Sequence, residues 1–342
     1  MLRGFPIRAR REAVRALKMG IGVLCGLLAG AFWGMVFIAP KLLPAFTPWE
    51  LAIGRYLAYG LVAAIAAAPL MRRFARKLTR ADCVALLRQA VIGNLLYYVL
   101  LAFGVQLAGV GPTSLIIGIL PISVTLMGRR DHGAVPLSRL MWPLLVVAVG
   151  IACINVDLFG GDGGHGAVAA TEAARTAWHK VAGVLCATGA LVCWTIYAVD
   201  NARYLQRNPQ YSGNEWSALF GLSTGLVSVV LALGGWLFAG NTLTAPDTGR
   251  DWQWFWWVNA AVALGASLIG NNLWNIASRR LPLTLSGQMI VFETLFALAY
   301  GFVYDGRPRP LEIAAIVLLM IGVAWSVRLH ATDKPQSVPE AA

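Results

Sequence analysis

Apolar residues in this chain gather into runs of about twenty, divided by short polar joins. Ten such runs cover residues 20–39, 49–70, 84–106, 112–128, 140–157, 180–200, 216–238, 254–277, 283–303 and 311–329. At 1.5 Å of rise per residue, a helix of that length crosses the roughly 30 Å of bilayer hydrocarbon. Each run therefore predicts a membrane-spanning helix, and the expected fold is an all-α integral membrane protein. Most joins are too short for a soluble domain. The exceptions are the Gly- and Ala-rich stretch 157–179 and residues 240–251.

Composition agrees, with 58% hydrophobic and 13% charged residues in 342 and a mean hydropathy of +0.65. The formal charge of +12 would suggest nucleic acid in a soluble protein. Here the basic residues crowd alternate joins, which sets topology, and no nucleic-acid partner is expected. Twenty-one of them fall on one side, including Arg3, Lys18, Arg72, Lys77, Arg129, Arg203, Arg279 and Arg328. Six fall on the other: Lys41, Arg175, Lys180, Arg250, Arg307 and Arg309. That bias predicts an inner-membrane protein with both termini in the cytoplasm. Trp252, Trp254, Trp256 and Trp257 fit an aromatic belt at the outer interface.

Residues 1–18 read as a retained basic cytoplasmic tail, since no small-residue cleavage site follows the first apolar run. Met19 is an alternative start. Residues 330–342 read as a disordered cytoplasmic tail. The five cysteines, Cys25, Cys83, Cys153, Cys186 and Cys193, form no CxxC pair and read as membrane thiols; no metal site and no cofactor is expected.

The chain also repeats itself. Gly22-Val23-Leu24-Cys25 recurs as Gly183-Val184-Leu185-Cys186, and the same step sets Trp33 on Trp194. Glu50 with Gly60-Leu61-Val62 matches Glu215 with Gly225-Leu226-Val227. Pro121 falls opposite Thr294 and Gly150 opposite Gly322, all in order and with offsets between 161 and 173. The halves are then 19–157 and 180–329, joined by a periplasmic linker at 158–179. Five spans per half is odd, so the second half enters the membrane inverted. Inverted five-helix repeats permit alternating access around a site near the midplane.

Phe32-Trp33-Gly34 in the first span, Lys41 after it and Arg55 in the second continue through Leu120-Pro121 and Gly150. Trp194, Phe292-Glu293 and Gly322 take the matching places in the second half. In this order the chain resembles the EamA-like branch of the drug/metabolite transporter superfamily, over about residues 20–328. Thr294, Arg129, Pro143 and Ala315 depart from the family pattern, which more often has Pro, an acidic residue, Gly and Gly there. The resemblance implies a carrier for small metabolites. Trp274-Asn275 is similar to the branch that exports aromatic amino acids.

Glu293 is the leading candidate for substrate binding or coupling. It lies about ten residues, roughly 15 Å, from either end of the ninth span. A charge there costs about 2.5–3.5 kcal/mol, so it should face a cavity and a partner. Such a carboxyl suits a proton carrier or a counter-charge to a substrate amine; a structural, hydrogen-bonded Glu is the competing reading. Arg55 either binds a carboxylate or phosphate or snorkels outward to the periplasmic interface, and Lys41 snorkels. Helical spacing puts Trp194, Tyr197 and Asn201 on one face of span six and Asn94, Tyr97 and Tyr98 on one face of span three. Asn271, Asn272 and Asn275 form a polar stripe beside Trp274 in span eight, and Gln288 is near Glu293 in sequence. These stripes line a cavity or bond to neighbouring helices, and Trp33 is a ligand-facing or packing residue. Ser114, Gly118, Pro121 and Thr125 share a small-residue face, with Pro121 as a hinge candidate. Asp200 reads as an interfacial cap.

The expected function is a secondary transporter exporting small amphipathic metabolites, amino acids first, as a monomer or homodimer, driven by proton exchange through Glu293 or working as a passive uniporter. Drugs or sugar-type solutes are the alternative cargo. A membrane transferase would need paired Asp or a His/Glu cluster, and neither motif occurs in the spans.

Overall fold

The computed structural model describes residues 7–43, 45–108, 113, 116–131, 133–160, 177–239, 250–305 and 310–332. Among them every regular element is helical. The main helices are α1 (Ile7–Gly34), α2 (Pro48–Ala67), α3 (Arg80–Ala90), α4 (Tyr97–Ala108) and α5 (Leu120–Met127). They continue as α6 (Leu137–Gly160), α7 (Ala177–Arg207), α8 (Gly213–Ala239), α9 (Trp252–Val262) and α10 (Asn271–Arg280). The chain closes with α11 (Leu283–Met289), α12 (Val291–Asp305) and α13 (Pro310–Thr332).

Seven helical segments among the described residues are long and apolar enough to cross a membrane, from Ala16–Gly34 to Pro310–Thr332, and Leu137–Cys153 adds a shorter apolar one. The fourth expected run is described as helix chiefly over α5, because 109–112, Ser114 and Leu115 lie outside the described residues. The eighth is helical from Trp252 to Arg280 in three joined pieces. Several boundaries differ from expectation: α1 begins at Ile7, inside the basic segment read as a tail, α6 runs to Gly160 and α7 starts at Ala177, inside the expected linker, and α13 runs to Thr332, inside the segment read as a disordered tail. The linker 161–176, the stretch 240–249 and the end 333–342 lie outside the described residues.

Helix starts follow local chemistry. Thr47 caps α2 in a reciprocal box with Glu50, and Thr79 caps α3 in the same way with Asp82. Asp251 accepts from the Trp254 amide at the start of α9.

Packing rests on close backbone approach. Gly60 of α2 lies against Gly225 of α8, where a Cβ on either would sit 2.6 or 2.4 Å from the other's Cα. Gly221 meets Ala63 and Tyr59, so the two helices run antiparallel. Along α1, Gly22, Gly26, Gly30 and Gly34 face Leu281, Met289, Phe292 and Phe296 in rising order, a parallel packing on α11 and α12. The bundle is apolar outside and polar within. Leu61 and Leu226 are 65% and 66% exposed, while Ser217, Thr284, Ser286 and Gln288 are fully buried. That distribution suits lipid as the surrounding solvent.

Candidate functional site

Two kinds of helix irregularity converge at mid-depth. Val91–Leu96 forms a π-helical turn joining α3 to α4, and Ala263–Gly270 forms one joining α9 to α10. A π turn loosens the regular hydrogen-bond ladder, and such turns recur at functional sites. The second irregularity is a break. Gly118 and Ile119 form a turn before α5, and Ile290 forms one between α11 and α12. Their backbone groups stay paired at shorter spacing, the Ile119 amide donating to the Ile116 carbonyl at 3.1 Å and the Ile290 amide to that of Gly287 at 3.4 Å.

Glu293 sits in the first turn of α12, immediately after that break, with its amide bonded to the Ile290 carbonyl at 3.0 Å. A carboxylate there faces the favourable end of the helix dipole. Arg55, on α2, points inward and not to the interface. Its Nε donates to Ser267 Oγ at 3.3 Å, inside the second π turn, and its guanidinium lies 5.4 Å from the Tyr56 ring centre. The Tyr56 ring meets Tyr98 edge-on at 6.2 Å.

Arg55 is within electrostatic reach of Glu293, and Tyr97 senses both charges. Among the described residues no direct ion pair joins Arg55 to Glu293. Both are half-buried, as are Asn94, Tyr97 and Tyr98. Asn94, in the first π turn, donates to Thr224 Oγ1 of α8 at 2.9 Å.

An aromatic wall borders this group. Trp33 meets Trp194 edge-on at 6.1 Å and Trp274 at 5.2 Å, and Trp194 lies 6.3 Å from Trp274. The Trp33 indole donates to the Ala266 carbonyl, within the second π turn, at 3.0 Å. Tyr197 joins Trp194 at 5.9 Å and stacks on Phe220 at 5.4 Å, while Gly93 of the first π turn leaves room for the Tyr197 ring.

Other candidates have separate surroundings. Asn201 donates to Asn275 Oδ1 at 2.9 Å and accepts from the Trp216 indole at 3.0 Å. This buried network ties α7, α8 and α10 together and leaves those side chains little capacity for a ligand. Asn271 reaches Tyr59 Oη at 3.4 Å. Asn272 Oδ1, the Trp274 indole nitrogen and both polar ends of Gln288 are buried without a hydrogen-bond partner among the described residues. Pro121 lies in the first turn of α5, where proline is well tolerated, and its carbonyl accepts from Thr125 Oγ1 at 2.7 Å. The bend is therefore the Gly118–Ile119 turn before it. Asp200 is more than a solvated cap, since it binds Arg88 at 2.6 Å and Gln89 at 2.8 Å.

Sequence periodicity missed Tyr56, Ser267, Thr224 and Phe220. Tyr56 had a signal, an aromatic hydroxyl next to a mid-span arginine. The serine and threonine had none, because single hydroxyls are common in membrane helices.

A model of the EamA-like transporter family matches residues 20–156. The "Inner membrane protein YtfF" of Escherichia coli (strain K12) is 35% identical over 334 residues, which cover 94% of this chain and 99% of YtfF. The chain belongs to the EamA-like transporter family. The resemblance is thus a family relationship within the drug/metabolite transporters; Phe32-Trp33-Gly34 and Arg55 lie inside the matched residues and Phe292-Glu293 outside them. A solved crystal structure at 20% identity superposes with a TM-score of 0.68 over 90% of this chain and 97% of that one, and speaks for the fold alone. In this EamA-like transporter the π turns, the helix breaks, Arg55 and Glu293 occupy one region of the bundle.

Proposed function

We propose that this EamA-like transporter exports small amphipathic metabolites, amino acids first and aromatic ones among them, across the inner membrane by alternating access. In this reading ten spans form two inverted five-helix repeats, with both termini cytoplasmic. The relative named an inner membrane protein supports the location, and the charge bias supports the orientation.

Contacts between matched residues favour the repeat. Trp33 touches Trp194 and Gly60 touches Gly225, as residues beside a two-fold axis do. Gly150 faces Leu319 and Ala315, while Gly322 faces Val147 and Pro143, the same contact with the halves exchanged. Both π turns and both helix breaks also fall at matched steps.

The observation that carries the substrate class is a pair of opposite charges held near each other but not joined. A zwitterion would place its carboxylate on Arg55 and its amine on Glu293, with its apolar part against the Trp33–Trp194–Trp274 wall. Glu293 is also the proposed seat of proton coupling, and the functional unit is a monomer or homodimer.

The test compares extracellular metabolites of a deletion strain with those of an overexpressing strain, followed by counterflow in proteoliposomes. Zwitterionic solutes should fall in the first medium, rise in the second and show saturable exchange. Enrichment of sugars or cationic drugs alone would contradict the proposed substrate class.

A further inference from the structure

Outside the midplane, two carboxylates repeat one another in unusual detail. Glu50 and Glu215 are 3% and 4% exposed, each in the first turn of its helix. Glu50 accepts from the Thr47 amide at 2.7 Å, and Glu215 from the Ser212 amide at 2.8 Å. The return bonds, from the glutamate amides to the Thr47 and Ser212 hydroxyls, are 3.2 and 3.1 Å.

Each carboxylate also binds a cation from the other half of the chain. Arg250 Nη1 is 2.7 Å from Glu50, while Lys77 Nζ and Arg73 Nε are each 3.1 Å from Glu215, so the second cluster carries one cation more. Arg250 lies 5.5 Å from the Phe46 ring centre and Lys77 lies 4.5 Å from that of Tyr211. The residues pair as 46 with 211, 47 with 212 and 50 with 215, all at one step of the repeat; 77 with 250 keeps the step found at 121 and 294. Glu50 and Glu215 each precede their crossing glycine by ten residues on antiparallel helices. They therefore stand about 30 Å apart, near the two faces of a bilayer.

We infer that these clusters are the two gates of the transport cycle, each fastening one half to the other at its own face and releasing in alternation. The inference rests on the alternating-access reading above. Releasability follows from the bonds. When its cations leave, each glutamate keeps the Thr47 or Ser212 amide as a donor and the helix dipole, so no carboxylate is left bare. A buried ion pair lacking such support would be strongly destabilised by losing one partner. The departing cation has an aromatic face beside it. Arg250 leads into α9 and Lys77 into α3, the helices that run on into the π turns. Motion at a gate thus reaches Ser267 or Asn94 along one helical rod.

The experiment uses the full chain with its five cysteines replaced and Asn94→Cys as a reporter, probed by a membrane-impermeant maleimide from each face of vesicles. Glu50→Gln should raise labelling from the face that bears Glu50 by roughly three- to tenfold, a population shift on the scale of one ion pair. Labelling from the opposite face should not rise. Glu215→Gln should do the reverse. As a complement independent of those variants, Glu50→Cys with Arg250→Cys joined by a bifunctional thiol reagent should abolish labelling from that face alone. Folded variants that change labelling equally from both faces, or from neither, would overturn the gate assignment while leaving alternating access intact. A reporter labelled equally from both faces even with one end cross-linked would contradict alternating access itself, and the gates with it.

Discussion

Glu50 and Glu215 occupy matched positions, share the capping box and each pair with cations from the far part of the chain, whereas Arg55 and Glu293 are matched by Phe220 and Leu120. The charged clusters near the ends of the bundle recur at matched positions, and the charged side chains in its middle do not. A cycle that opens to two faces needs the same mechanical part twice. An asymmetric solute with one carboxylate and one amine needs each counter-charge once. Scaffold irregularities follow the first rule, since both π turns and both helix breaks occur in pairs. Only the charged side chains set into that scaffold follow the second.

Restoring symmetry in the middle should have the largest effect on function. Arg55→Phe, which copies the matched Phe220, should lower transport by at least about tenfold, equivalent to about 1.4 kcal/mol of lost substrate interaction. Size-exclusion profiles should stay near wild type, because the substitution removes a half-buried charge from the bundle interior. A comparable loss on Phe220→Leu would mean that the contrast between the two positions carries no specificity.

A smaller effect is expected where the repeat is kept in the scaffold. Gly60→Ala places a Cβ 2.6 Å from the Gly225 backbone, and overpacking of this kind costs about 1–3 kcal/mol. Thermal unfolding in detergent should shift down, and transport should decline with the folded fraction. Smallest of all, Leu61→Val and Leu226→Val alter only lipid-facing surface and should stay within about 0.5 kcal/mol of wild type. A sharp loss at either would show that this face is covered by protein.

Much of the plan was legible in sequence because lipid imposes a coarse rule. Long apolar runs marked the helices, and the residues that the sequence sets opposite one another, Gly60 with Gly225 and Trp33 with Trp194, are in contact. Candidate residues could be named from the sequence, but not their neighbours in space. Periodicity puts Asn201 and Trp194 on one face of α7, yet it does not say that Asn201 meets Asn275 while Trp194 meets Trp33. The π turns had no signature, since one extra residue in a hydrogen-bond ladder leaves composition and hydropathy unchanged. Glu50 and Glu215 served only as repeat markers, because a capping glutamate is an ordinary helix start. Their partners Arg250 and Lys77 lie too far along the chain for any local pattern to join them.

The central claim is that Glu293, beside Arg55, binds the solute and carries the coupled proton. Its most direct test is transport by purified Glu293→Gln in proteoliposomes at two external pH values, with wild type alongside. Wild-type transport should change with the pH gradient; Glu293→Gln, inserted and folded, should transport far more slowly and respond little to the gradient. A variant that matches wild type in rate and in pH response would contradict the account.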